Sequence, residues 1–109
     1  MTTAINKAMT IIRTEEEKKQ VAAQIAEALR ESISGYKDPM EVRTGISIDG
    51  LEKIEVFDKE EEFITLTKMM SLIEVAGRFK NIYPGCIAGW VETQGKKTVL
   101  VVEVDKIIR

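Results

Sequence analysis

The chain has 109 residues, 44% of them apolar and 31% charged, with a net charge of −2. These proportions suit one globular domain able to bury a core without staples. They exclude a disordered chain and one held to nucleic acid by a global basic field. Histidine is missing and cysteine occurs once, which excludes Ser-His and Cys-His nucleophiles, imidazole metal ligands and an internal disulfide.

In chain order, residues 1–13 read as an N-terminal extension. Ile5, Met9 and Ile12 are helically spaced there, as a turn or two of their own or as a continuation of the next helix. Thr14 and Glu17 fit a capping box that opens a helix over residues 14–34. Its stripe is Val21, Ala22, Ile25, Ala26 or Ala28, Leu29 and Ile33, and Gly35 and Pro39 follow it. Residues 41–57 read as a hairpin around Ile48, Asp49 and Gly50, with Gly50 left-handed. Val42 then opposes Val56 and Thr44 opposes Ile54 on one face, while Arg43, Gly45, Lys53 and Glu55 share the other.

Asp58 and Glu61 fit a second capping box, which predicts a helix over residues 59–80. Its stripe is Phe63, Leu66, Met70, Ile73 and Ala76, and Ile64, Leu72, Val75 and Phe79 widen it. Residues 62–67 also have strand propensity, so a strand there followed by a shorter helix is the alternative. Tyr83-Pro84-Gly85 suits a type II turn. A last hairpin spans residues 86–105, with a four-residue loop at 94–97. Thr93 then opposes Thr98, Val91 opposes Leu100, Trp90 opposes Val101 and Gly89 opposes Val102.

The resulting order, α-β-β-α-β-β, predicts an α+β two-layer sandwich. A four-stranded antiparallel sheet carries both helices on one face. Alternation assigns Ile87, Gly89, Val91, Leu100, Val102 and Val104 to the helix-covered face. The other face holds Ala88, Trp90, Val99 and Val101, rimmed by Glu92, Glu103 and Asp105. An outward face should be polar at every second residue, and this one is not.

The expected function follows from that second apolar face. It predicts a small soluble, non-catalytic domain that self-associates as a dimer or binds a protein partner, in a regulatory or structural role. Ala88, Trp90, Val99 and Val101 are the candidate interface residues. The face could alternatively be covered by the first helix or residues 1–13, or line a small-molecule pocket. A nucleic-acid reading uses the same face, with Trp90 stacking a base beside Arg43, Lys53, Lys96 and Lys97. Against it, acidic Glu92 and Glu103 flank the only Trp.

No catalytic, cofactor-binding or metal-ligating residue is assigned. Cys86 reads as a buried hydrophobe. Glu103 and Asp105 beside Lys106 read as a solvated rim in preference to a magnesium site of the nuclease kind. No apolar run reaches the length of a membrane span, residues 1–13 lack a signal-peptide pattern, and the lone thiol suits a reducing compartment. A cytoplasmic protein is expected.

Overall fold

Two capped helices and two hairpins alternate along the chain, and a computed structural model describes them over residues 11–35, 40–59, 64–95 and 97–107. The elements are α1 (Glu15–Ile33), β1 (Met40–Ile46), β2 (Glu52–Asp58), α2 (Leu66–Ile82), β3 (Ile87–Gln94) and β4 (Lys97–Val104). The strands form one antiparallel sheet in the order β1-β2-β4-β3, so β1 and β3 are its edges. Both helices pack on one face of it, which makes the expected α+β two-layer sandwich.

Thr14 caps α1 as the pattern requires. Its hydroxyl accepts from the Glu17 N–H at 3.0 Å, and the Glu17 carboxylate accepts from the Thr14 N–H at 3.0 Å. Val21, Ala22, Ile25, Ala26 and Leu29 form the buried stripe. They meet Val42, Ile54, Val56, Leu100, Val102 and Val104 in the main core. Ile12, just before the helix, is also buried in this core. Its carbonyl accepts from the Ile107 N–H at 2.9 Å, so this residue of the predicted extension is part of the domain. Residues 1–10 lie outside the described part.

The first hairpin has the expected register, with Val42 opposite Val56 and Thr44 opposite Ile54. Gly50 has φ 82° and turns the loop between the strands. Gly85, also at φ 82°, completes the turn that the Cys86 N–H closes onto the Tyr83 carbonyl at 3.1 Å. The last hairpin pairs as predicted, and its ladder runs one rung further, to Gln94 opposite Lys97.

The second helix departs from expectation in two ways. It begins at Leu66, with Thr65 as N-cap, and not at 59. Asp58 ends β2, opposite Met40, and its carbonyl accepts from the Lys97 ammonium at 2.7 Å. The alternative strand at 62–67 does not form over its described part either, because Ile64 and Thr65 are irregular and Leu66 and Thr67 are helical. Residues 60–63, including Phe63 and the Glu61 of the proposed capping box, lie outside the described residues. The second departure concerns orientation. The buried side of α2 is Met69, Leu72, Val75 and Ala76. Leu66, Met70 and Ile73, which the periodicity assigned to the core, face outward.

Candidate interaction surface

The β4 part of the second sheet face is buried within the chain. Val101 has no exposed area and Val99 almost none, and with Phe57 they make a separate buried cluster. Phe57 shares the parity of Lys53 and Glu55, which was the available signal for placing it there. Long polar side chains border this small core. The Arg43 guanidinium sits 4.6 Å from the centroid of the Phe57 ring, and the Lys97 ammonium is 5.9 Å from it. Gln94 donates to the Glu55 carboxylate at 2.6 Å, and Lys53 lies 3.8 Å from the same group. Stems of such residues shield apolar surface while their heads stay wet.

Trp90 lies opposite Val101 with its ring partly exposed. Its indole N–H donates to the Glu92 carboxylate at 2.7 Å. That bond, then the one from Gln94, then the charge of Lys53 hold the Glu92 carboxyl below its usual range. Ala88 is exposed one rung pair away. Of the four candidate interface residues, then, Ala88 and Trp90 reach the surface on β3, and Val99 and Val101 lie beneath it on β4.

The open apolar surface lies on the other side of the β3 edge. Leu66 is 76% exposed, Met70 61% and Ile73 47%. At 3.6 residues per turn they form one stripe, roughly a third of a turn from the buried side of α2. Between α2 and β3 runs a groove of about 210 Å³, walled by Ile73, Gly77, Ile87, Gly89, Val91 and Leu100. Lys80 is the charged residue lining it. Val91 has the inward parity predicted for it, yet it stands at the sheet edge and is largely exposed.

Two glycines make this groove. A Cβ at Gly77 would meet nothing within 4 Å, and one at Gly89 would make only ordinary contacts with Val101 and Val102. Neither glycine is required by the chain's own packing. Glycine inside a helix costs about 1 kcal/mol relative to alanine, and inside a strand it often marks the close approach of another backbone.

Other candidate chemistry is dispersed. Cys86 is buried, and its backbone carbonyl accepts from the Asp105 N–H at 2.8 Å. Asp105 accepts from the Lys106 N–H, while the Lys106 ammonium pairs with Glu15 at 3.0 Å. Among the described residues no three acidic or thiol groups converge to hold a metal. Lys97 donates to the carbonyls of Asp58 and Lys59, and Arg43 lies over Phe57 with Glu41 3.9 Å away. Lys96 lies outside the described residues. No described helix is long and apolar enough to cross a membrane. Compared with family models, curated proteins and solved structures, the chain matches none.

Proposed function

We propose that this chain is a non-catalytic association domain, working as a homodimer or on a protein partner in a structural or regulatory role in the cytoplasm. The observation that carries the reading is the second apolar stripe of α2. Leu66, Met70 and Ile73 stand in water beside the groove along β3. A helix that packs on one side only keeps its other side polar. Contiguous exposed apolar surface of this kind marks association sites in soluble proteins.

Light scattering tests the reading directly. The wild type is expected to give more than the monomer mass, and to keep it in high salt, because apolar contacts are not screened. Ile73→Glu should lower the mass while circular dichroism stays native, since Ile73 takes no part in the buried core. A wild type of monomer mass that captures no protein overturns the proposal. Association that collapses steeply with salt would favour the nucleic-acid reading over this one.

A further inference from the structure

We infer that the partner is a second copy of this chain, joined by antiparallel pairing of β3 with β3 about a two-fold axis through Trp90; the inference rests on the association reading above. The two edges of the sheet differ in how they are guarded. β1 carries Glu41 and Arg43, with the Lys59 ammonium 3.4 Å from Glu41. Charges of this sort keep an edge from pairing. β3 reads Ile-Ala-Gly-Trp-Val-Glu-Thr-Gln, with one charge, no proline and an unbroken ladder to β4. Among the described residues nothing pairs with its outer side.

Backbone direction fixes how two such edges can meet. Opposed residues in an antiparallel ladder alternate between pairs that exchange hydrogen bonds and pairs that do not. The Asp105 N–H bonds to the Cys86 carbonyl, so even-numbered residues of β3 turn their polar groups toward β4. Ile87, Gly89, Val91 and Thr93 therefore turn theirs outward. Odd residues of one copy must bond odd residues of the other. That condition places the axis perpendicular to the sheet, with all helices on one side of a continuous sheet.

The side chains favour Trp90 as the centre. Gly89 then faces the partner's Val91, twice by symmetry, so the exposed valine fills the gap that each glycine leaves. Glu92 faces the partner's Ala88. A centre at Glu92 would oppose two carboxylates, and a centre at Gly89 would oppose two gaps. On the second face the two Trp90 rings form a cross-strand pair flanking the axis. On the helix side α2 packs over β3 and β4. Adjoining the sheets at the strand spacing brings the two α2 helices to about the 8–10 Å of packed helices, with Ile73 and Gly77 at the seam.

Proline substitution tests the pairing. The Val91 N–H points away from β4, so Val91→Pro spares the hairpin and removes an intermolecular bond. The expected result is a folded protein whose scattering mass is half that of the wild type. A Val91→Pro protein that keeps the dimer mass, while Ile73→Glu halves it, overturns the strand pairing and leaves the association reading standing. A wild type that is monomeric overturns both. Amide exchange on the wild type at dimer-forming concentration decides the matter even if Val91→Pro fails to fold. Gly89 and Val91 amides should then exchange as slowly as those of Trp90 and Glu92. Fast exchange at Gly89 and Val91 alone overturns the inference.

Discussion

Lys18 is the least expected member of the interior. It is only 3% exposed, and its ammonium donates to the Gly50 carbonyl at 2.8 Å and pairs with Glu15 at 2.9 Å. Lys106 approaches the other oxygen of Glu15 at 3.0 Å. Lys18 thus ties α1 to the β1–β2 loop, and the Glu15 carboxylate holds Lys18 and ties the start of α1 to the segment after β4. The hydrogen bonds from Lys18 and Lys106 hold the Glu15 carboxyl down to about 2, from an ordinary 4.5. A lowered folded-state value means that the cluster's contribution is complete above about pH 4.5 and is lost as pH falls towards 2. Melting temperatures of the wild type and Glu15→Gln should differ most at neutral pH and converge as pH falls through that window. A difference that does not change with pH would show that Glu15 acts there without its charge.

At the scale of elements, the signals that proved legible were local and chemical. Thr14 and Glu17 marked the start of α1, Gly50 and Pro84-Gly85 marked turns, and alternation set the register of both hairpins. The failures share a different cause. Apolar periodicity on α2 shows that a stripe exists, and it cannot say which of two stripes meets the sheet. Met69, Leu72 and Val75 compete with Leu66, Met70 and Ile73, and the choice depends on where the preceding chain delivers the helix. The capping-box pattern at Asp58 likewise does not mark the start of α2, which begins at Leu66 with Thr65 as its N-cap, while Asp58 ends β2. The second sheet face reads as apolar from alternation, but the burial of Val99 and Val101 with Phe57 depends on side-chain packing that alternation does not describe. A substitution separates the two views of that face. Val101 is wholly buried next to Phe57 and Val99. Val101→Glu would bury a carboxylate there, at a cost of several kcal/mol. Chemical denaturation should show a large loss of stability or no folded state. A Val101→Glu protein with native stability would mean that this face is open in solution.

At the scale of the molecule, burial is lopsided. The sheet's β1 edge ends in paired charges, whereas its β3 edge and the adjoining side of α2 end in apolar surface and two unfilled glycine positions. If a second copy completes that side, the folded state at working concentration is a dimer and unfolding releases two chains. Its stability must then depend on protein concentration. For two chains of 109 residues, the unfolding entropy typical of globular proteins makes each tenfold dilution lower Tm by about 3 °C. Val91→Pro and Ile73→Glu should melt at a temperature that dilution leaves unchanged. The wild type and the two variants should converge at concentrations below the dimer's dissociation constant, apart from the small intrinsic effect of each substitution. Calorimetry over a hundredfold concentration range checks this. A wild-type Tm that is flat across that range, together with monomer mass, would leave the α2 stripe and the β3 edge without the partner their chemistry calls for.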